Sequence, residues 1–183
     1  MKDYHNFKIK IYIKINLMEK IVLHNKSHDA AGILPFVEMN NNIYFILGKE
    51  KSGKYCDFGG GKNKDETCEE TAIREFDEES MGVLYNKTKL HKIIAKLPCY
   101  VNKKGKYVTF LLKLKYNHHI IDTYNTLMNK IYQCNNNKII HCNNGLLEKL
   151  EFKLFTIDQI LKNDDKQMRE VFLETFKLLI KNI

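Results

Sequence analysis

The stretch of sequence that decides the fold is GGGKNKDETCEETAIREFDEE, residues 59–79. It begins with three consecutive glycines and continues into a segment with the signals of a helix. Thr67 and Glu70 stand at the spacing of a capping box, and Glu70 and Arg74 at the i, i+4 spacing of an ion pair. Gly82, shortly after the stretch, is the residue type that commonly ends a helix. The stretch therefore predicts a glycine loop that leads directly into a helix.

One face of the predicted helix is acidic, because Glu75, Glu78 and Glu79 are spaced i, i+3 and i+4. Three carboxylates on one face repel one another unless water screens them or a cation neutralises them. Oxygen ligands without histidine or cysteine favour a hard ion, Mg²⁺ or Mn²⁺, over zinc. Because such an ion also binds substrate phosphates, two interpretations are open: a solvated acidic face, and a metal site for phosphoryl chemistry. The apolar residues on the adjoining arc, which we expect to bury the helix, are Ala72, Ile73 and Phe76.

Two details favour the metal site. Only two of the 30 basic residues are arginines, Arg74 and Arg169, and Arg74 lies beside the carboxylates in the sequence. Its planar guanidinium can hold and orient a carboxylate, which a lysine ammonium does less well. The glycines before the helix are also typical of loops whose backbone approaches a phosphate. The stretch therefore predicts a metal centre that binds phosphate.

The spacing resembles the Nudix box, a pattern written Gly-x5-Glu-x7-Arg-Glu-U-x-Glu-Glu-x-Gly-U, in which U is apolar. The first seven fixed positions are occupied by Gly60, Glu66, Arg74, Glu75, Phe76, Glu78 and Glu79. The tail departs from the pattern, because Gly82 comes one residue late, after Met81. Residues 30–35 and 43–48 are similar to the strands that precede the box in this family. The resemblance implies an α/β fold, an α/β/α sandwich with a mixed sheet.

The resemblance also implies roles for individual residues. The implied ligands of Mg²⁺ or Mn²⁺ are Glu75, Glu78 and Glu79, with the Gly60 carbonyl as a further ligand. Arg74 and Glu66 would pair and orient the ligand helix, and Glu78 or Glu79 would assist an attacking water as the base. Some members of the family place the base on a later loop or strand. The candidates for that alternative are Glu148 and Glu151.

The implied reaction is the hydrolysis of a diphosphate linkage in a nucleoside diphosphate derivative or in capped RNA. The formal charge of +8 favours a polyanionic partner, and Lys49 and Lys62, which flank the glycines, are the candidate substrate ligands. Decapping enzymes of this kind occur in large DNA viruses, so a viral-type member is one expectation. The alternatives are a diphosphoinositol polyphosphate hydrolase and a catalytically inactive Nudix-fold module that binds RNA or regulates.

Composition predicts one globular domain, since the chain has 183 residues, 44% hydrophobic and 28% charged. We assign the Nudix-like domain to residues 18–183, with 117–145 as a candidate insertion. Residues 1–17 form either a first strand or an extension, because Met18 is an alternative start. The oligomeric state is left open.

Periodicity gives the remaining elements. The predicted strands are 7–15, 30–37, 43–47, 90–97, 107–116 and 150–155, and the predicted helices after the acidic one are 121–133 and 165–181, with a loop at 135–144. The last helix is expected to bury Met168, Val171, Phe172, Phe176 and Leu179.

The cysteine content predicts a reducing compartment. The five cysteines are an odd number, and the start of the chain lacks the features of a secretory signal. We therefore expect reduced thiols and a cytoplasmic protein, in the host cytoplasm if it is viral. No apolar run approaches the roughly 20 residues of a membrane span, so no membrane partner is expected.

Overall fold

A computed structural model describes residues 28–102, 106–134, 147–163 and 166–182. Its strands are β1 (Ala30–Met39), β2 (Asn42–Glu50), β3 (Tyr55–Cys56), β4 (Phe58–Gly61), β5 (Cys99–Val101), β6 (Tyr107–Lys113) and β7 (Lys149–Thr156). Its α-helices are α1 (Cys68–Ser80), α2 (Lys87–Ile93), α3 (His118–Cys134), α4 (Ile157–Lys162) and α5 (Glu170–Asn182), and a 3₁₀ turn covers Ile94–Lys96. The predicted strand at 7–15 and the predicted loop at 135–144 lie outside the described residues.

The strands form a mixed sheet in which β1 and β2 separate at one end. The order across the sheet is β7, β2, β1, β6, β5; β1 and β6 are parallel and the other pairs antiparallel. β1 pairs with β2 only at Phe36–Met39, and its first residues, Ala30–Ile33, pair instead with β4. β2 pairs with β3 at Gly48 and Lys49. The short strands β3 and β4 therefore fill the gap between β1 and β2, which places the glycine segment inside the sheet.

Helices cover both faces of this sheet. On one face, α1, α2 and α3 bury residues such as Phe76, Leu90 and Tyr124 against the strands. On the other face, α4 and α5 bury residues such as Ile160 and Phe176. Neighbouring strand residues alternate between the two cores, as the pleat of a strand requires. The predicted α/β/α sandwich with a mixed sheet is confirmed.

The predicted strand at 90–97 is wrong, because this segment is α2 followed by the 3₁₀ turn. The side chain of Asn86 accepts the Lys89 N–H at 3.0 Å and caps the helix. Leu90 and Ile94, four residues apart, are the buried positions. A spacing of four residues between buried positions is typical of a helix. The isoleucines of this segment led instead to the prediction of a strand. The strand begins only at Cys99.

The predicted glycine loop is also wrong, because residues 58–61 form strand β4. The glycines there give room for side chains that cross the strand, as described for the site below. The described glycines with left-handed backbone lie elsewhere: Gly53 in the β2–β3 connection has φ of 81°, and Gly82 after α1 has φ of 67°.

The last helix is shorter than predicted, and one of its expected core residues is exposed. It begins at Glu170, since Met168 still forms a β-bridge with Tyr55 and holds the chain extended there. Phe172, Phe176 and Leu179 are buried as predicted, whereas Val171 is 58% exposed. Val171 lies one residue away from the buried stripe, so its burial was a wrong prediction.

The predicted helix at 121–133 is confirmed as α3, and it packs closely against β7. The Tyr124 ring stacks on Phe152 with centroids 3.6 Å apart and an interplanar angle of 9°. The Asn125 side chain accepts the Phe152 N–H and donates to its carbonyl, at 2.8 and 2.9 Å. The part of 117–145 that the structure describes therefore helps to form the core. Among the described helices, none has the length and apolarity to cross a membrane.

Candidate active site

Helix α1 carries the predicted ligands and is capped at both ends. The capping box is confirmed: Thr67 Oγ1 accepts the Glu70 N–H at 3.1 Å, and the Glu70 carboxylate accepts the Thr67 N–H at 2.8 Å. The predicted ion pair of Glu70 with Arg74 is wrong, because the cap holds the Glu70 carboxylate. Met81 ends the helix with φ of 53°. Although Gly82 is displaced, the left-handed conformation stays where the Nudix pattern has its glycine.

The Arg74 guanidinium gathers the acidic residues of the stretch at one point. Its Nε and Nη2 donate to the two carboxylate oxygens of Glu66 at 2.7 and 3.0 Å. Its Nη1 donates to Glu75 Oε1 at 2.7 Å and lies 3.4 Å from Glu78 Oε2. Nη2 also donates to the Gly61 carbonyl at 3.0 Å. The structure thus brings together Arg74, Glu66, Glu75 and Glu78, which we call the Arg74 cluster.

Glu66 fixes the loop before α1 to the helix. Its carboxylate accepts the Asn63 N–H at 3.0 Å and the Thr71 hydroxyl at 3.1 Å, in addition to both bonds from Arg74. The hydrogen bond from Arg74 lowers the pKa of Glu66 to about 2. Glu66 therefore stays ionised and keeps Arg74 in place.

Glu75 packs directly on the backbone of β4. A Cβ on Gly60 would lie 2.5 Å from Glu75 Oε1, which is closer than atoms can approach. A side chain at position 60 would therefore force the Glu75 carboxylate to move, and the Gly60 carbonyl as a metal ligand stays a prediction. Burial raises the pKa of Glu75, and the bond from Arg74 opposes the rise.

Glu79 points away from the Arg74 cluster and is only 2% exposed. Its Oε2 accepts the Gly59 N–H at 2.9 Å, and its Oε1 lies 3.2 Å from the Nζ of Lys149. The acidic face is therefore divided: Glu75 and Glu78 contact Arg74, and Glu79 contacts Lys149. A role for Glu79 as ligand or base stays a prediction.

Lys149 is completely buried at the start of β7. Its Nζ lies 3.0 Å from Cys56 Sγ and 3.6 Å from Glu50 Oε1, besides its contact with Glu79. Burial acts to lower the pKa of Lys149, but the charges of Glu79, Cys56 and Glu50 outweigh it and raise that pKa. We call Lys149, Glu79, Glu50 and Cys56 the Lys149 cluster. Its acidic members therefore favour the charged form of the lysine.

A second pair, which is partly buried, adjoins this cluster. The Tyr107 hydroxyl donates to Asp57 Oδ2 at 2.9 Å, and burial raises the pKa of both groups. The hydroxyl lies between Gly32 and Gly59, where a Cβ on either glycine would overlap it. The glycine concentration that suggested a phosphate loop therefore makes room for side chains of the protein itself.

The predicted substrate ligands, Lys49 and Lys62, and the alternative bases, Glu148 and Glu151, lie outside the two clusters. Lys49 Nζ is 3.4 Å from Glu151 Oε2, so these two residues contact each other. Lys62 is exposed just after β4. Glu148 is exposed. Its charge helps to raise the pKa of Glu75, so Glu148 is close enough to the acidic face to interact with it. The functional roles of these four residues stay predictions.

The donor chemistry fits a hard divalent ion at Glu75 and Glu78. Both offer carboxylate oxygens near a common point, and neither is fully exposed. Oxygen donors of this kind suit Mg²⁺ or Mn²⁺. In the described part of the chain, no three His, Cys, Asp or Glu side chains form a ready-made metal site. Binding would therefore require these carboxylates to release Arg74 in part.

Sequence reasoning missed Lys149, Glu50, Asp57 and Tyr107. The chain contains many lysines and tyrosines, and nothing in the local sequence marks Lys149 and Asp57 as buried or places Glu50 and Tyr107 beside them. Only the paired strands and α1 bring them together.

Comparison with known protein families finds no match, and comparison with curated proteins finds none either. Solved structures do resemble the fold. A Nudix hydrolase from M. smegmatis is 15% identical, with a TM-score of 0.48 and coverage of 86% of this chain and 88% of that one. An Ap4A hydrolase from C. elegans is 15% identical, with a TM-score of 0.45 and coverage of 86% and 97%.

A bifunctional NMN adenylyltransferase/ADP-ribose pyrophosphatase from Francisella tularensis, solved with AMP and a Mn ion, is 14% identical. Its TM-score is 0.48, and the alignment covers 99% of this chain and 47% of that one. Identities this low do not indicate a shared activity.

Proposed function

We propose that this chain is a Nudix-type pyrophosphohydrolase that uses Mg²⁺ or Mn²⁺ to cleave a diphosphate linkage in a nucleoside diphosphate derivative or in capped RNA. One observation carries the proposal: the Arg74 guanidinium joins Glu66, Glu75 and Glu78. These residues occupy separate positions of the box pattern, up to 12 residues apart. A solvated acidic face needs no such convergence on one of the two arginines in the chain.

Glu75 and Glu78 are the proposed ligands of the ion. A bound divalent ion supplies Lewis-acid stabilisation of the negative charge on phosphate oxygens. Arg74 orients both carboxylates, and Glu66 holds Arg74 from the other side through two bonds. Because Glu75 is held against Gly60 and is half-buried, its orientation is preset. The described residues thus form a rigid support for a hydrolytic site.

The base that accepts the proton of the attacking water is proposed to be Glu78, with Glu148 as the alternative. Both oxygens of Glu79 already contact protein groups, Gly59 N–H and Lys149 Nζ. Among the described residues, the Glu78 carboxylate has one contact, 3.4 Å to Arg74 Nη1, so its other oxygen is available to accept a proton.

The substrate is proposed to be a polyanion. The net charge of +8 supports this class, and Lys62, which is exposed after β4 and lies within the box, is the proposed phosphate contact. The cytoplasm is the proposed location, since an odd number of cysteines, five, favours a reducing compartment.

The test is a hydrolysis assay in Mg²⁺ or Mn²⁺ with capped RNA and a panel of small nucleoside diphosphate derivatives, resolved by product. Release of a nucleoside diphosphate from capped RNA alone identifies a decapping enzyme, and turnover of small substrates alone identifies a metabolite hydrolase. Diphosphoinositol polyphosphates form a third arm. Absence of turnover on every arm would contradict the proposal and leave a binding module.

Glu78→Gln tests the site, with Glu69→Gln as its matched control on the same helix. We expect Glu78→Gln to lower turnover by about three orders of magnitude, or about 4 kcal/mol of activation free energy, with unfolding unchanged. Glu69 has no contact with Arg74 among the described bonds, so Glu69→Gln should retain activity. Equal activity of the two variants would contradict the assignment of Glu78.

A further inference from the structure

Lys149 is an unusual residue for the interior of a protein. Lysine is almost never fully buried unless it is paired, and the side chain of Lys149 is 0% exposed. The surrounding structure is shaped to receive it. A Cβ on Gly48 would lie 2.7 to 3.2 Å from the Cδ, Cγ and Cβ atoms of Lys149, so only glycine leaves room for its stem.

The backbone at Lys149 is also held in place. The Tyr124 hydroxyl donates to the Lys149 carbonyl at 2.6 Å, and the same ring stacks on Phe152 three residues later. Helix α3 therefore fixes the first residue of β7. A lysine held at both backbone and stem is positioned for its ammonium, because packing alone would be served better by an apolar residue.

The ammonium lies directly behind the acidic face. Glu79 bridges Lys149 Nζ and the Gly59 N–H. The next residue of β4, Gly60, packs against Glu75. Lys149 thus contacts the one glutamate of the acidic face that Arg74 does not hold.

We propose that Lys149 is a built-in cation of the active site, which fixes Glu79 and withholds it from a divalent ion. The inference rests on the proposed function, because it assumes that Glu75 and Glu78 bind one ion. Lys149 is a positioning residue in this role, since it acts on the site through Glu79. The box glutamates then bind a single ion, although three carboxylates are available.

The first test counts bound Mn²⁺ in the full chain by equilibrium dialysis and follows free Mn²⁺ by electron paramagnetic resonance. We expect Lys149→Met to bind about one more Mn²⁺ per chain than the wild type, because Glu79 is released as a ligand. Lys153→Met is the matched control on the same strand, since Lys153 is exposed. It should bind as many ions as the wild type. An unchanged count in folded Lys149→Met would overturn the inference.

The second test does not depend on the folding of a Lys149 variant. In an otherwise wild-type chain, Glu79→Gln should change Mn²⁺ affinity by less than about threefold, because Glu79 is engaged with Lys149. Glu75→Gln and Glu78→Gln should each weaken Mn²⁺ binding by at least about tenfold. A tenfold loss of affinity in Glu79→Gln would overturn the inference. Failure of the wild type to bind Mn²⁺ would instead contradict the proposed function on which the inference rests.

Discussion

The Arg74 cluster and the Lys149 cluster each hold glutamates of α1, but they are assembled from different parts of the chain. All members of the Arg74 cluster lie between residues 66 and 78, and its arginine side chain is 22% exposed. Members of the Lys149 cluster come from β2, β3, α1 and β7, and its lysine is fully buried. The Arg74 cluster is local and partly open, whereas the Lys149 cluster is long-range and closed around Lys149 and Glu79, with Glu50 at its partly exposed edge.

This difference separates two tasks that acidic side chains perform in the same helix. A partly open cluster can exchange its internal partner for an ion or a phosphate at little cost, because water compensates each change. A closed cluster cannot, since any unpaired charge within it stays out of water. We infer that the Arg74 cluster changes partners during function, whereas the Lys149 cluster keeps the same contacts.

Replacing the buried lysine should give the largest effect on stability. We expect Lys149→Met to lower the free energy of unfolding by about 3–5 kcal/mol, because the buried Glu79 loses its counter-charge. Urea denaturation of both proteins without divalent ions measures the difference.

The double variant Lys149→Met/Glu79→Gln is the control for this loss. It removes both charges of the buried pair and should recover a large part of the lost stability. If Lys149→Met alone loses less than about 1 kcal/mol, the Lys149 cluster is not a closed network, and the contrast with the Arg74 cluster disappears.

The same contrast determines what the sequence can predict. The Arg74 cluster follows from spacing within a single helix and its preceding loop, so the box pattern identified its members. The capping box at Thr67 was predictable for the same reason. The prediction of a strand at 90–97 was wrong because a short apolar segment is compatible with either a strand or a helix. The side-chain cap at Asn86 favours the helix.

The burial of Lys149 could not be predicted from sequence spacing, because it depends on an irregularity in the pairing of β2 with β7. Glu50 pairs with Lys149 and Lys49 with Glu151, so β7 has one extra residue between these pairs. Simple alternation would put Lys149 on the same face as Glu151. The bulge instead turns Lys149 toward Glu79 and α1. Bulges depend on strand pairing and leave no periodic signal in the sequence.

Replacing Arg74 with lysine should affect activity more than stability. Lysine keeps the charge but loses the planar fork that bonds Glu66 through two nitrogens. We expect Arg74→Lys to lower kcat/KM by about 100-fold, or about 2.7 kcal/mol, in the hydrolysis assay. Arg169→Lys is the matched control, since Arg169 makes one 2.9 Å contact with Glu50 and is half-exposed. Equal losses in both variants would show that Arg74 contributes only charge.

Two glycines allow the clusters to be disturbed separately. Gly48→Ala would push on the buried stem of Lys149, with a Cβ 2.7 Å from Cδ, and should lower the free energy of unfolding by about 1–2 kcal/mol. Gly60→Ala would push on the half-buried Glu75 carboxylate. It should lower turnover with a smaller loss of stability, because that carboxylate can move toward solvent. Thermal unfolding and turnover of both variants check this, and the reverse pattern would reverse the roles of the clusters.

The smallest expected effect is on acid stability. The folded pKa of Glu66 is about 2, below the ordinary value of 4.5, so ionised Glu66 stabilises the folded state above about pH 4.5. That contribution is lost as the pH falls from about 4.5 toward 2, because the carboxyl is then protonated in both states. Glu66→Gln lacks the contribution at every pH. The stability difference between wild type and Glu66→Gln should therefore be largest near neutral pH and shrink across this window.

We expect that difference to stay below about 1 kcal/mol even at neutral pH, since solvent reaches the Arg74 cluster and screens it. Urea denaturation of both proteins at several pH values between 7 and 2 measures it. A difference of several kcal/mol, comparable to that of Lys149→Met, would mean that the Arg74 cluster is as closed as the Lys149 cluster. Arg74 could then not release Glu75 and Glu78 to a metal ion at low cost, and the Lys149 cluster would no longer be the only fixed one.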